Sequence, residues 1–358
     1  MTPSRPKVAP RVAWIAGTRG EILLLTPLMR GLRETGDVET SHSLLTTGEH
    51  GMAASQALDR VGVIPDETSP VCHPADEPAL RLREMLERVE AFLRRRKITH
   101  AVFAGSGPTA AAAALMTHAR NARGLWLTPP DPVRLAPRLR WEAGLTRVAR
   151  ACAPCVEPYV LEAMPEWLTE SNAATAPLME QDALRDDAPL VVVALVRREW
   201  GMRDTTPRRL FAALARSASQ RPECDWWVVG NLNARMEGPL RALKPWPPNL
   251  LATAPLPWGV WRTAMTRARA VLTDSPLIAA DARHHDCRVA ALGETPPPTV
   301  EAAAPPPNVL SITPDDLDVP RWDAVVDTLL KKPPVTEGDP TLEIGEVVAR
   351  VAGWLARP

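Results

Sequence analysis

The sequence predicts an α/β protein made of two similar halves, each a parallel sheet flanked by helices. Three observations predict it. Short continuous apolar runs alternate with amphipathic stretches along most of the chain, which is the rhythm of βαβ units. That rhythm breaks once, over the polar and irregular residues 165–188, and then restarts. The length, 358 residues, suits two domains of roughly 150–180 residues better than one. The expected boundaries are 1–170 for the first domain, 171–188 for a linker, 189–340 for the second domain and 341–358 for a closing helix.

Taken in order, RVAWIAG (11–17) reads as a buried strand and Glu21–Glu34 as a helix. SLLTT (43–47) is a second strand, followed by a helix over Met52–Val61. Glu77–Arg95 is a long charged helix with Leu80, Leu82, Met85, Leu86, Val89, Phe92 and Leu93 at helical spacing. ITHAVFAG (98–105) is a strand, PTAAAAALMTHA (108–119) a small-residue helix suited to close packing, and GLWL (124–127) the next strand. In the second half PLVVVALV (189–196) has the unbroken apolar character of a strand buried on both faces. A helix over Pro207–Ser217, the strand DWWVVG (225–230), a helix over Trp258–Ala268 and the strands ARAVLTD (268–274) and CRVAALG (287–293) follow. After the Pro-rich stretch 296–307, helices near 315–331 and 341–356 close the chain. Ligands of such sheets sit at the carboxyl ends of the strands, and the expected place is a cleft between the halves.

Bulk properties narrow the function classes. The formal net charge is zero, which gives no ground for a nucleic-acid or anionic-membrane partner. No apolar run approaches membrane-spanning length, and the polar opening MTPSRPKVAP lacks the apolar core of a signal peptide. Five Cys, an odd number, fit a reducing cytoplasmic setting. Cys152 and Cys155 form a single CxxC, too few ligands for a zinc site. The twelve Trp against one Tyr and three Phe are read as packing residues before binding residues. No Walker loop, GxGxxG, GxSxG or HExxH occurs, HHD (284–286) does not place its side chains on one helix face, and no metal or cofactor is expected.

Five segments at strand ends could carry chemistry. In GTRGE (17–21) the glycine permits a tight turn, and Arg19 is either a two-pronged phosphate or carboxylate contact or a surface residue. In TTGEHG (46–51) His50 with Glu49 beside it is an acid/base candidate, against a plain polar turn. In VRREWG (196–201) Arg197 and Arg198 suit a diphosphate, or form a solvated pair. GNLN (230–233) offers Asn231 and Asn233 as hydrogen-bonding groups. In VLTDSPLIAAD (271–281) Ser275 is a good N-cap and Pro276 fits the first helical position. That corner is either an anion site at a helix start or simply a turn from strand to helix.

As an ordered set these segments resemble the non-hydrolysing UDP-N-acetylglucosamine 2-epimerases, whose motifs run GTRPE, TGQH, GHRRE, HLNP and LTDSGGIQEEA, then TERPE. The counterparts here are GTRGE (17–21), TGEH (47–50), VRRE (196–199), NLNA (231–234), LTDSPLIAADA (272–282) and GETPPPTVEAA (293–303), spread over nearly the whole chain. The resemblance implies two Rossmann-like domains of the GT-B type around a central cleft, with the final helix crossing back to the first domain. It implies a UDP-sugar or UDP as partner, Arg19, Arg197 and Arg198 near the phosphates, Ser275 on a phosphate and Asp281 on the ribose hydroxyls. A homodimer is left open. Activity in cell-surface polysaccharide or glycoconjugate synthesis is the implied role.

The departures fall on the acids and bases. Ser106 stands where the family has the Asp of HGD, and Thr128 roughly where it has the Glu of HVEAGLR. Glu142 is a substitute carboxylate for PEEANR under a shifted alignment, and Glu49 replaces the Gln of TGQH. Val196 and Asn231 replace the His of GHRRE and of HLNP, and Pro276-Leu277 replaces the double glycine. A positioned general acid or base is worth about 10²–10⁴ in rate. The sequence therefore leaves three readings: a nucleotide-sugar enzyme, working as an epimerase with relocated groups or as a glycosyltransferase; a pseudoenzyme that keeps the fold as a UDP-sugar-binding or scaffold protein; and a retained fold with an unrelated ligand.

Overall fold

The computed structural model describes residues 9–36, 40–48, 52–69, 78–105, 107–127, 145, 148–149, 151–153, 155–156, 184–196, 205–229, 234–253, 256, 258–275, 278–279, 281–282, 285, 287–293, 308–332 and 344–357. Its contacts divide the chain into two compact units. The first takes residues 1–128, 142–165 and 342–358, and the second residues 129–141 and 166–341.

The first unit runs β1 (Arg11–Ala16), α1 (Arg19–Thr35), β2 (Ser41–Thr46), α2 (Met52–Val61), β3 (Glu67–Thr68), α3 (Pro78–Arg95), β4 (His100–Ala104), α4 (Pro108–Ala119), β5 (Arg123–Leu127) and β6 (Cys155–Val156). The six strands pair in parallel in the order β3-β2-β1-β4-β5-β6. Val12 to Ala16 and Ala101 to Ala104 are fully buried, as their unbroken apolar character requires. The core joins Ile15, Leu45, Phe92, Phe103 and Trp126 to the alanines of α4, whose small side chains let the helix lie close to the sheet and to α3.

The second unit runs β7 (Leu190–Ala194), α5 (Thr205–Gln220), β8 (Asp225–Val229), α6 (Ala234–Arg241), β9 (Leu250–Thr253), α7 (Trp258–Arg267), β10 (Ala268–Thr273), β11 (Arg288–Leu292), β12 (Val309–Ile312), a 3₁₀ turn (Pro314–Leu317) and α8 (Val319–Leu330). Its strands are also parallel, in the order β9-β8-β7-β10-β11-β12. With β7 counted as a first strand, this is the same topology as in the first unit. Trp226, Phe211 and Trp322 anchor its core. Trp14, Trp126, Trp226, Trp227 and Trp322 are among the largest fully buried side chains, so these tryptophans serve packing.

The last helix, α9 (Ile344–Ala356), belongs to the first unit and packs on α1. A Cβ at Gly31 would come within 2.7 Å of Val348 Cγ2, so the glycine leaves room for the Val348 side chain of α9 against α1. The Trp354 ring meets His100 edge-on at 5.2 Å, with the Arg123 guanidinium 5.2 Å from its centre.

The α/β class with two parallel sheets is therefore as the sequence predicts. The sequence reading missed β3, β6, β9, β12 and α6. β3 and β6 have two residues each, too few to show a period, and LLAT and VLSI are short edge strands beside proline-rich stretches. The helix expected over 315–331 is two pieces, because Asp318 is extended (ψ 146°) and Pro320 restarts the chain at the head of α8. No helix among the described residues is long and apolar enough to cross a membrane.

Candidate functional site

A doubly wound parallel sheet opens a crevice where the strand order reverses, at the carboxyl ends of the two central strands. That point lies between β1 and β4 in the first unit and between β7 and β10 in the second.

In the first unit β1 leads through Gly17 and Thr18 into α1. Thr18 is the N-cap, and its hydroxyl accepts from the Glu21 N–H at 3.3 Å. The Glu21 carboxylate turns back and accepts from the N–H of Gly17 at 2.6 Å and of Thr18 at 3.1 Å. This capping box brings a carboxylate of the chain itself, 5% exposed, to the positive end of α1. Across the crevice Gly105 follows β4 with φ +87°, and a Cβ there would lie 2.3 Å from Glu21 Oε1. Both the backbone angle and the carboxylate thus demand glycine. The Gly105 carbonyl accepts from the Trp126 indole at 2.7 Å. Deeper in, the Thr47 and Thr109 hydroxyls share a 2.7 Å hydrogen bond. Arg19, the first residue of α1, is half-buried, and burial lowers its pKa from the ordinary guanidinium value. An anion beside it would relieve that cost of desolvation.

In the second unit the carboxylate serves the strand instead. Asp274, just past β10 and 5% exposed, accepts from the Val196 N–H at 2.9 Å and so ties the exit of β10 to that of β7. Thr273 reinforces the tie: its hydroxyl donates to the Ala194 carbonyl at 2.8 Å and accepts from the Ser275 N–H at 3.1 Å. Ser275 caps the helix that follows. Its hydroxyl accepts from the Ile278 N–H at 3.4 Å, and its carbonyl accepts from the Ala279 N–H at 2.9 Å. Further along that helix lies Asp281, 4% exposed, whose Oδ2 accepts from the indole N–H of Trp261 on α7 at 3.4 Å. Trp261 is itself 3% exposed.

Of the residues singled out from the sequence, Arg19 stands at the first crevice, and Ser275 and Asp281 stand at the second, on one helix. Glu49, His50, Ser106, Thr128, Glu142, Arg197, Arg198, Asn231, Asn233, Pro276 and Leu277 lie outside the described residues. Val196, which the sequence places directly before the arginine pair, is held by Asp274. Sequence reasoning passed over Glu21, Gly105, Asp274 and Trp261. The first was readable, since Thr18-x-x-Glu21 ahead of an apolar run has capping-box spacing. The Gly105–Glu21 and Trp261–Asp281 contacts join residues far apart in sequence and leave no local signal. A cavity of about 500 Å³ lined by Arg185, Ser219, Pro222, Asp225, Pro247 and Asn249 sits at the amino ends of β8 and β9, the wrong end of the sheet for this chemistry. Arg185 there is bound to Asp225 at 2.7 Å. Among the described residues no group of three or more His, Cys, Asp or Glu is placed to hold a metal ion.

No protein-family model matches the chain, and no curated protein matches it. Solved structures do. A UDP-GlcNAc 2-epimerase from Neisseria meningitidis bound to UDP-GlcNAc superposes with a TM-score of 0.71 at 13% identity, over 95% of this chain and 99% of that one. The S. aureus protein MnaA with UDP gives 0.69 at 12% identity, over 97% of both chains. A protein from Listeria monocytogenes described as a UDP-N-acetylglucosamine 2-epimerase by assignment gives 0.69 at 16% identity, over 96% of this chain and 95% of that one. At these identities the likeness establishes the fold, which is that of the UDP-GlcNAc 2-epimerases along nearly the full length of the chain.

Proposed function

We propose that this chain is a diverged member of the UDP-N-acetylglucosamine 2-epimerase family and an enzyme acting on a UDP-linked N-acetylhexosamine in glycan synthesis. The observation that carries the reading is the Ser275 corner. It is a helix start capped by a hydroxyl, at the switch point of the second sheet, in a fold whose solved examples hold UDP-GlcNAc or UDP. Such a helix start favours a phosphate, through its N–H groups and its partial positive charge. Ser275 is the proposed diphosphate contact, with Arg197 and Arg198 supplying charge from the exit of β7 and Asn231 a hydrogen bond from the exit of β8. Asp281 is the proposed ribose contact, and Arg19 is the anion contact of the first unit.

The chemistry follows from which groups remain. Stabilising UDP as it leaves C1 of the sugar needs cationic and helix-start groups, and these are present in the sequence. In epimerisation a base also takes the C2 proton while the C1–O bond to UDP breaks. The proton then returns to the other face and UDP adds back to C1. With Ser106 and Thr128 in place of carboxylates, that proton needs Glu49, His50 or Glu142 as its carrier. Transfer of the sugar to an acceptor asks only for one base. The same two replacements favour the second reading, a UDP-sugar-binding pseudoenzyme.

Ligand binding is tested by thermal shift, since a ligand that binds only the folded state raises its apparent stability. UDP and UDP-GlcNAc at millimolar concentration are expected to raise the melting temperature, and no shift with either would overturn the proposal. Incubation with UDP-GlcNAc in deuterated water then separates the chemistries. Deuterium at C2 identifies an epimerase, release of UDP with an acceptor and no deuterium identifies a transferase, and binding with neither leaves the pseudoenzyme.

A further inference from the structure

We propose that the face of the first unit at the amino ends of its strands docks on an anionic lipid bilayer, with Ile64 entering the headgroup layer among basic side chains that meet the lipid phosphates. This face lies at the opposite end of the strands from the crevice, so the inference does not rest on the UDP-sugar reading. In a parallel sheet each connecting helix runs back to the amino end of the next strand. Accordingly α1, α2 and α3 end at Thr35, Val61 and Arg95, just ahead of β2, β3 and β4. The end of α9 joins them, since Arg123 at the head of β5 donates to the Arg357 carbonyl.

Ile64 lies midway along the loop from α2 to β3 and is 92% exposed. A scattered apolar side chain at a surface is ordinary, but this one is presented by a built turn. Gly62 closes α2 with φ +59°, its N–H donating to the Asp59 carbonyl at 3.2 Å and the Val63 N–H to the Leu58 carbonyl at 3.2 Å. Arg30 donates to the Val61 carbonyl. On the other side Asp66 accepts from the Leu44 N–H at 2.9 Å and pairs with Arg96 at 3.3 Å.

The charges around this turn are unbalanced. Arg94, Arg95 and Arg96 are paired with Glu90, Glu67 and Asp66. Arg11, Arg33, Arg60, Lys97 and Arg357 form no ion pair among the described residues, and against them stand only the unpaired acids Glu34 and Asp59. Basic side chains at helix ends ordinarily complement the helix dipole. Lys97 goes further. It closes α3 in the left-handed conformation, φ 51°, at the position where glycine is the ordinary residue, so the turn itself does not ask for a lysine. The zero net charge of the chain thus conceals a local excess. A nucleic acid would answer the cations and leave Ile64 in water. A bilayer takes both, because its phosphates attract the cations and its interface accepts an apolar side chain.

Cosedimentation of the full chain with vesicles tests this. Wild type is expected to bind phosphatidylcholine vesicles that contain phosphatidylglycerol, to bind pure phosphatidylcholine far more weakly, and to be released by raised salt. Ile64→Ser should weaken binding about tenfold, the worth of burying part of one aliphatic side chain. Lys97→Gly should weaken it about fivefold, the worth of one cation near such a surface. Both side chains are exposed, so the melting temperature of Ile64→Ser should match wild type and that of Lys97→Gly should not fall. Val319→Ser removes the exposed apolar side chain of the second unit and should leave binding unchanged. No binding to phosphatidylglycerol vesicles, or equal weakening by Val319→Ser, would overturn the inference. So would vesicle binding indifferent to Ile64→Ser and displaced by RNA, which would mark a nucleic-acid surface. Light scattering that shows two chains in wild type and one in Ile64→Ser, without vesicles, would overturn it in favour of a second copy. UDP binding is measured separately, and its outcome leaves this inference untouched.

Discussion

At the first switch point the carboxylate that spans the crevice belongs to the β1 exit, and at the second it belongs to the β10 exit. Glu21 reaches from the head of α1 to the edge of Gly105, taking the Gly17 and Thr18 N–H groups on the way. Asp274 reaches the other way, from the end of β10 to the Val196 N–H beyond β7. The topology is shared, but the acid serves different partners. In the first unit it occupies the positive end of a helix, so α1 begins with its anion already built in. In the second unit the acid is used on an extended segment, and the next helix is capped by a neutral hydroxyl at Ser275. A fold repeated twice thus yields one helix start occupied by the chain's own carboxylate and one capped by a neutral hydroxyl.

The approach of Glu21 to Gly105 is the place to break this comparison most severely. Gly105→Ala adds a Cβ that would lie 2.3 Å from Glu21 Oε1, at a φ of +87° that L-residues avoid. The left-handed backbone costs about 1–2 kcal/mol and overpacking about 1–3 kcal/mol more. Urea denaturation should therefore show a loss of about 2–5 kcal/mol. Glu21→Ala alone removes the carboxylate half of the capping box and should cost about 2 kcal/mol. The double variant should be less destabilised than the sum of the two, because the clash has gone and only the backbone strain remains. Full additivity would mean that the two residues do not press on one another.

Acid should separate the units next. His42 and His100 both lie in the first unit, and burial, followed by the charge of Arg33 or Arg123 respectively, lowers each to about 4. His42 accepts from the Trp14 indole at 2.9 Å and meets the Thr40 hydroxyl at 2.5 Å, while His100 meets the Thr99 hydroxyl at 2.8 Å beneath Trp354. A histidine whose folded pKa lies below its unfolded value of about 6.5 binds fewer protons when folded. Its contribution is intact above pH 6.5 and is lost as the pH falls toward 4, by as much as about 3 kcal/mol for each residue before solvent screening. Hydrogen exchange at pH 7 and pH 4.5, corrected for intrinsic rates, should show protection falling in β1, β4 and α9 ahead of β7, β8 and β10. Equal loss in both sheets would refute this assignment.

How much of this was legible in the sequence follows from the range of each interaction. Buried parallel strands such as RVAWIA and LVVVA announce themselves, because burial on both faces demands unbroken apolar runs. The Ser275 cap was legible too, since an N-cap is a matter of three or four neighbouring residues. Edge strands were not, because LLAT and VLSI are too short and too little buried to carry a period. The contacts that differentiate the two crevices were the least legible. Glu21 with Gly105 and Asp274 with Val196 are set by which strands lie side by side, and that depends on the order in the folded sheet.

The finest contrast concerns the two caps. Thr18 and Ser275 do the same structural work, each accepting from the N–H three residues on, at 3.3 and 3.4 Å. Replacing either by Ala should cost about 1 kcal/mol of stability, the ordinary worth of an N-cap hydroxyl. Their effects on UDP should differ. Ser275→Ala removes a hydroxyl from the helix start proposed to take the diphosphate, and is expected to weaken UDP about tenfold, the worth of one hydrogen bond to a charged group. Thr18→Ala leaves the Glu21 carboxylate on its two N–H groups and should leave UDP affinity within twofold or so. Calorimetric titration of both variants decides the matter. Equal weakening would show that the two helix starts are equivalent, and the distinction between a helix start holding its own anion and one proposed to receive an anion would not survive.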